Sequence, residues 1–288
     1  MIDGNTQVLG LIGNPVTHTL SPTIHNTIAE NMGMNLIYVP FPVLNGLDDA
    51  VRGAFNLQIG GLNVTVPYKT EVIHSLVEID DEATLIGAVN TLVRTECGYK
   101  GYNTDLQGLY QALISEGILL SGNKVVIIGA GGAARAAAFL CALKGVKELI
   151  IANRTVEHAQ NIVKELQDKL KYSNATAYSI ENVGEIPGSD YIALQATKVG
   201  LSPDFEQSPV LEESFFKKLS VVYDFIYRPS ETQFMKLARS YGVPSYHGLK
   251  MLLYQGVYSF ELWNRTQVPI DVIEKTYDVL MRNLEGNE

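Results

Sequence analysis

"KVVIIGAGGAARAAAFLCALKGVKELIIANRT", residues Lys124 to Thr155, decides the fold. Val125 to Ile128 is apolar and β-branched, the pattern of a strand buried on both faces of a parallel sheet. A glycine turn comes next, then an alanine-rich helix to Lys144, a stop at Gly145 and a second apolar strand, "ELIIAN". Strand, helix, strand in that order is the repeating unit of a doubly wound sheet. Gly129-Ala-Gly131-Gly-Ala-Ala134 matches G-x-G-x-x-A, and it stands where that motif must stand, after a strand and opening a helix. The first glycine permits the tight turn, the second lets a pyrophosphate reach the backbone, and Ala134 lets helix pack closely on strand. The free N–H groups and positive end of the helix favour an anion. The stretch therefore predicts a dinucleotide site at Gly129, Ala130, Gly131, Gly132 and Ala133, although such glycines can also serve only to pack a helix on a strand.

The end of the second strand selects the dinucleotide. A site for NAD usually has a carboxylate there to accept from the ribose 2'-OH. Here the residues are Asn153, Arg154 and Thr155. A guanidinium with no carboxylate suits a 2'-phosphate, so NADP is expected. An exposed arginine at a strand end is the bland reading.

Downstream, a helix is expected from Val156 to about Lys171, then strands in "DYIALQAT" and "SVVYDFIY". Upstream the texture changes. Val8 to Gly13 reads as a strand, and Ser21 to Met32 as a helix with Ser21 as N-cap, Pro22 at its first position and Gly33 as its stop. "LIYVPFPV" and "IGGLNVTVPYK" read as strands, the latter ended by Pro67. "AVNTLVRTECGYKGYNTD" reads as two strands around Cys97-Gly98, followed by a helix from Leu106 to Glu116. Gly248 to Asn283 is mostly helical and is expected to return to the first domain. The expected architecture is α/β with two domains. Residues 1–105 plus 248–288 form a mixed α/β substrate domain, and 106–247 a Rossmann-type doubly wound domain.

Composition narrows the function. A chain of 288 residues, 46% hydrophobic and 18% charged, reads as soluble and globular. A net charge of -9 argues against nucleic acid and against an anionic membrane surface, since both are held by lysine and arginine. Cys97 and Cys141 lie far apart without metal-type spacing, so neither a disulfide framework nor a zinc site is expected. No ligand set for any metal is apparent. The N-terminus lacks a charged segment followed by an apolar block, and a cytoplasmic location is expected.

The first domain carries its own polar constellation. In "LNVTVPYK" a period of two puts Asn63 and Thr65 on one face, with Lys69 expected in the first turn of a helix, the wrong end of the dipole for a cation. A solvated lysine is the ordinary alternative. Asp105 reads as an N-cap or as the partner of Lys69, and Asn90 adds an amide. Thr19 and Ser21, two apart in an extended segment before a helix, can aim two hydroxyls at a carboxylate. His18 and His25 have no metal-spaced partners, and a structural role is expected for both.

"GNPVTHTLSPTIHN", "NVTVPYK", "GAVNTLV", "YNTD", "GAGGAAR", "NRT" and "GLKMLLYQG" occur in the order seen in the shikimate dehydrogenase family, and the chain resembles that family over essentially its whole length. The resemblance implies NADPH-dependent reduction of 3-dehydroshikimate to shikimate, on the route to chorismate and the aromatic amino acids, with the active site in the cleft between the domains. It implies that Thr19 and Ser21 take the substrate carboxylate and that Asn63, Thr65, Asn90, Asp105 and Gln255 hold ring hydroxyls. Lys69 would be the acid/base group working with Asp105. Tyr227 and Gly248 would line the cleft, Tyr227 toward substrate and Gly248 toward cofactor. The partners implied are small molecules only, for a monomer or homodimer. Five departures stand out: Thr19 where serine is usual, His158 where a second arginine is common, Gln195 and Lys198 where Asn and Ser are commoner, and His247 in place of Asp. The first two keep open a quinate/shikimate dehydrogenase using NAD or both cofactors.

Overall fold

A computed structural model describes residues 2–285. The chain divides into two compact units, one running to Gly108 and resuming at Leu252, the other Leu109–Met251.

The first unit is built on a mixed six-stranded sheet of β1 (Gln7–Gly13), β2 (Leu36–Pro42), β3 (Gly61–Val64), β4 (Glu78–Ile79), β5 (Thr91–Arg94) and β6 (Tyr99–Tyr102), in the order β2-β1-β3-β5-β6-β4. Strand β1 pairs in parallel with β2 and β3, while β3–β5 and β5–β6 are antiparallel. Its helices are α1 (Ser21–Asn31), α2 (Leu47–Asn56) and α3 (Asp81–Ile86), and α4 (Asp105–Ser115) leads out of it. Asn26 of α1 brackets the backbone of the edge strand: its Nδ2 donates to Tyr38 O (3.1 Å) and its Oδ1 accepts from Tyr38 N (2.8 Å). The side-chain amide thus satisfies groups that an edge strand leaves open.

The second unit alternates as its apolar runs require: β7 (Lys124–Ile128), α5 (Gly132–Leu143), β8 (Glu148–Asn153), α6 (Val156–Leu170), β9 (Ala175–Ser179), β10 (Tyr191–Gln195), α7 (Glu213–Phe216), β11 (Leu219–Asp224), α8 (Gln233–Ser240) and β12 (Ser245–His247). All strands are parallel, in the order β9-β8-β7-β10-β11-β12. The order reverses between β7 and β10, the switch point where such sheets bind ligands. Val125 to Ile128 are buried without residue, as a strand covered on both faces must be.

The chain then continues in α9 (Leu249–Asn264) and α10 (Ile270–Glu285), most of which belongs to the first unit. Trp263 of α9 lies against Gly61, where an added Cβ would stand 2.2 Å from the indole, and its Nε1 donates to Leu92 O at 2.8 Å. Glycine at 61 is what lets the helix seat on the sheet. Among the described residues no helix is long and apolar enough to cross a membrane.

Three local expectations are corrected. The N-cap of α1 is Leu20, and Ser21 is the first helical residue. The strand in "IGGLNVTVPYK" ends at Val64, and Lys69 lies in a run of turns before a short 3-10 helix, Glu71–Ser75, rather than in a helical first turn. Helix α4 starts at Asp105, one residue early, so Asp105 is inside the helix and does not precede it.

Candidate active site

Because β3 and β6 both run antiparallel to β5, they point the same way as β1. The C-terminal ends of β1, β3 and β6 and the start of β5 therefore share one edge of the first sheet. The segment with Thr19 and Ser21 follows β1, that with Thr65 and Lys69 follows β3, Asp105 follows β6, and Asn90 precedes β5. Topology alone gathers residues spread over nearly ninety positions at the strand ends where α/β sheets bind ligands.

Lys69 and Asp105 meet there. Lys69 Nζ donates to Asp105 Oδ2 at 2.5 Å, with the two side chains 34% and 21% exposed, so the pair is reachable by a small molecule. The backbone of Lys69 is pinned, its carbonyl accepting from Val89 N at 2.8 Å. The other carboxylate oxygen, Asp105 Oδ1, accepts from Asn90 Nδ2 at 2.9 Å. Each oxygen thus has its own donor, and the carboxylate plane is set. A lysine held in this way can deliver a proton to a substrate oxygen or take one back.

Thr19 Oγ1 donates to Ser21 Oγ at 3.1 Å and accepts from Ser21 N at 3.2 Å. The two hydroxyls thus stand together at the start of α1. Thr65 presses its methyl on Gly13, where an added Cβ would lie 2.3 Å away. Gln255 sits on α9 opposite Gly108, where a Cβ would stand 2.7 Å from the Gln255 backbone nitrogen. Glycine at 108 is therefore a condition for bringing Gln255 near Asp105, one turn earlier on α4. Asn63 is different. It is 5% exposed, and its amide is engaged entirely within the protein, with Tyr38, His25, Thr91, Ser259 and the Asn90 carbonyl.

In the second unit Gly129 has φ +113°, and a Cβ there would lie 3.0 Å from Thr197 Cγ2 and 3.2 Å from the Ala196 backbone. The turn after β7 and the loop after β10 thus touch, at the switch point. At Gly131 and Gly132 a Cβ would meet nothing within 4 Å. That open space faces the N-terminus of α5, whose N-cap, Gly131, offers no side chain to its free N–H groups. An uncapped helix start with room in front of it fits a pyrophosphate. At the end of β8, Arg154 and Thr155 are exposed, Asn153 Nδ2 donates to Thr155 O (2.8 Å), and His158 is exposed on α6. Arg154 makes no ion pair among the described residues, which leaves its guanidinium open to a phosphate.

Gln195 and Gly248 have structural explanations. Gln195 is buried, donates to Asp224 Oδ1 (3.2 Å) and Val199 O (3.3 Å), and accepts from Thr197 N (2.5 Å), tying the loop after β10. Burial pushes the Asp224 carboxyl up to about 6, against hydrogen bonds from Ile226 N, Thr232 and Gln195 that favour the anion. Gly248 allows the Phe225 carbonyl to approach, since a Cβ would lie 2.2 Å from it. Tyr227 is half-buried, and burial raises its phenol while Arg228 acts in the other direction. Lys198 is exposed, and His247 Nδ1 accepts from Leu249 N at 3.3 Å.

Three family models match in sequence order: a shikimate dehydrogenase substrate binding domain over residues 11–92, shikimate / quinate 5-dehydrogenase over 113–186, and a shikimate 5'-dehydrogenase C-terminal domain over 248–276. A shikimate dehydrogenase (NADP(+)) of Methanococcus maripaludis is 42% identical over 98% of this chain and 100% of its own length. The chain belongs to the shikimate dehydrogenase family. Its fold is that of solved members. The enzyme of Thermus thermophilus in complex with NADP(H) and shikimate aligns with TM-score 0.83 and 32% identity over 94% of this chain and 98% of that one. A Listeria monocytogenes shikimate 5-dehydrogenase in complex with shikimate and NAD aligns with TM-score 0.86 and 33% identity, over 95% and 97%.

Within this family member, sequence reasoning missed the residues behind the site. Thr91, Thr104 and Ser259 are fully or almost fully buried polar groups around Asn63 and Asn90. The only signal for Ser259 was a polar residue on the apolar side of a helix, and its partners lie up to 196 positions away.

Proposed function

We propose that the chain catalyses the reversible reduction of 3-dehydroshikimate to shikimate, with the substrate in the first unit and NADPH on the second. The observation that carries this reading is the Lys69–Asp105 pair at 2.5 Å, with Asn90 holding the second carboxylate oxygen. NADPH supplies a hydride when bound. The chain must supply the proton and the grip on substrate. Lys69 gives its proton to the substrate oxygen as negative charge develops there, and Asp105 keeps the ammonium oriented and receives no proton itself. Thr19 and Ser21 take the carboxylate, and Thr65, Asn90, Gln255 and Tyr227 hold the ring hydroxyls. Gly129 to Ala133 receive the pyrophosphate, and Asn153, Arg154 and Thr155 the 2'-phosphate. The two free cysteines, Cys97 and Cys141, suit a reducing cytoplasm.

The test is steady-state kinetics with shikimate and quinate, each against NADP and NAD. Shikimate with NADP should give the highest kcat/KM. A higher kcat/KM for quinate, or for NAD, would replace the reading with that of a quinate/shikimate dehydrogenase.

A further inference from the structure

Behind the Lys69–Asp105 pair lies a buried polar network whose proton positions can be assigned from fixed points. Asn90 Oδ1 accepts from the backbone N–H of Thr104 at 2.8 Å. A backbone nitrogen can only donate, so this oxygen is fixed, and Nδ2 must face Asp105 Oδ1 and Thr104 Oγ1. Asn63 is fixed in the same way. Its Nδ2 donates to the backbone carbonyl of Asn90 at 3.2 Å, so Oδ1 must face Tyr38 Oη (2.7 Å) and His25 Nε2 (3.2 Å). His25 therefore carries its proton on Nε2, and its buried Nδ1 has no hydrogen-bond partner. Burial holds the imidazole neutral, with its pKa down at about 3.

The directions between these points follow. Asn63 Nδ2 has two hydrogens: one goes to the Asn90 carbonyl, and the other is shared between Thr91 Oγ1 (3.1 Å) and Ser259 Oγ (3.0 Å). Thr91 Oγ1 in turn donates to Asn90 Oδ1 (3.0 Å), and Ser259 Oγ donates to Gln255 O (2.9 Å). The Ser259 oxygen lies 2.8 Å from Thr91 Oγ1 and 3.1 Å from Thr104 Oγ1. Along the main path the protons thus point one way, from His25 and Tyr38 through Asn63 and Thr91 to Asn90, and from Asn90 onto Asp105, while Ser259 sends its proton aside to Gln255 O. Such chains polarise each member, and a fully satisfied one fixes side-chain orientation.

We propose that Asn63 and Thr91 form a one-way hydrogen-bond chain that sets the amide of Asn90, and through it the carboxylate of Asp105, with Ser259 a side branch that ties Asn63 to the Gln255 carbonyl, and that Asn63 acts there as a positioning residue and not as a substrate ligand. The proposal rests on the acid/base reading of Lys69 and Asp105. It assigns to Asn63 no free donor or acceptor for a ring hydroxyl. It also gives Gln255 a second anchor, through its carbonyl and Ser259.

The test is an isosteric pair in the full-length enzyme. Thr91→Val removes the hydroxyl and keeps the shape, and Thr91→Ser keeps the hydroxyl. Losing one buried donor to Asn90 should cost kcat about tenfold in Thr91→Val. KM for shikimate and for NADP should hardly change, and Thr91→Ser should restore most of the rate. Asn63→Asp should lower kcat further, because an acceptor-only carboxylate turns the Thr91 proton away from Asn90 and the Ser259 proton away from the Gln255 carbonyl. The independent readout needs no variant: 15N chemical shifts of His25 in the parent protein should report the Nε2-protonated neutral tautomer. An Nδ1-protonated ring would reverse the chain and overturn the proposal. So would Thr91→Val at the parent kcat, or Asn63→Asp with a raised shikimate KM and an unchanged kcat. Lys69→Met separates the two failures. If it turns over like the parent, the acid/base reading falls; if it is inactive while Thr91→Val is not impaired, only the positioning proposal falls.

Discussion

In the first unit, the groups proposed to meet substrate are side chains already bonded to one another: Lys69 to Asp105, Asp105 to Asn90, Thr19 to Ser21. In the second, the groups proposed to meet the pyrophosphate are backbone N–H groups at the start of α5, with open space before Gly131 and Gly132. On the proposed reading, one site would work by orientation of charged and polar side chains, the other, at the pyrophosphate, by leaving atoms out. Mutations should therefore fail in different ways. In the first unit, removing a side-chain group should cost turnover. In the second, adding a single methyl should cost cofactor affinity.

The largest effect expected is at Lys69. Lys69→Met keeps the stem's packing and should lower kcat by about 10²–10⁴ with a smaller change in KM. Asp105→Asn should also lower kcat. The double variant should lose much less than the product of the single losses, because the two act as a unit. A folded Lys69→Met enzyme at the parent rate would remove the contrast between the units altogether.

Gly131→Ala sharpens the other side. A Cβ there meets no atom of the protein, so thermal stability should be unchanged, while the KM for NADP rises. Gly129→Ala is the control. Its φ of +113° and its contacts with Thr197 and Ala196 should cost about 1–3 kcal/mol of stability as well. A Gly131→Ala protein with parent affinity for NADP would mean that the open space is not a cofactor cradle.

Two smaller effects test the ends of the ligands. Arg154→Ala should raise the NADP KM about tenfold, the worth of a charge-assisted bond, and leave NAD nearly unchanged. Equal losses with both cofactors would show that the guanidinium does not read the 2'-phosphate. Thr19→Val should raise the shikimate KM about tenfold by the same reasoning, and Thr19→Ser should not. Binding by Thr19→Val as tight as the parent's would free Thr19 from the carboxylate.

The same contrast explains what could be read from sequence. The second unit was legible from β7 to α6 and again at β10 and β11, because strands covered on both faces appear as unbroken apolar runs and a glycine-spaced turn marks the first crossover, while the short β9, α7, α8 and β12 were not read. The first unit was legible as a set of motifs but not as an arrangement. Its two-residue β4 and six-residue α3 are too short to show a period, whereas α2 does carry helical spacing, with Leu47, Val51 and Ala54 buried, and was missed all the same. Pro67 suggested a helix start at Lys69, yet the chain makes a run of turns there, held by the Val89–Lys69 backbone bond that sequence does not show. Asn63 and Thr65 were expected on one face of a strand, but β3 ends at Val64, and Asn63 is taken up by Tyr38, His25 and Ser259, brought in from distant elements.

The smallest expected effect concerns stability, where the two units should respond to pH with opposite sign. Each buries one titratable group away from its ordinary charge state. Burial lowers His25 from 6.5 to about 3 and raises Asp224 from 3.8 to about 6. For His25 the unfolded chain binds more protons between these values, so its contribution to stability is present above pH 6.5 and is lost as pH falls toward 3. For Asp224 the folded chain binds more protons, so its contribution is present below pH 3.8 and is lost as pH rises through about 6. Moving from pH 7 to pH 5 should therefore weaken the first unit and strengthen the second, by about 1–2 kcal/mol each. Hydrogen exchange resolved by peptide, corrected for intrinsic rates at each pH, measures the two units separately. Asp224→Asn should abolish the gain in the second unit and leave the first alone. His25→Gln, which keeps a donor for Asn63 without a titratable ring, should abolish the loss in the first. If the parent and Asp224→Asn proteins show the same pH dependence in the second unit, the Asp224 carboxyl is not the group that titrates there.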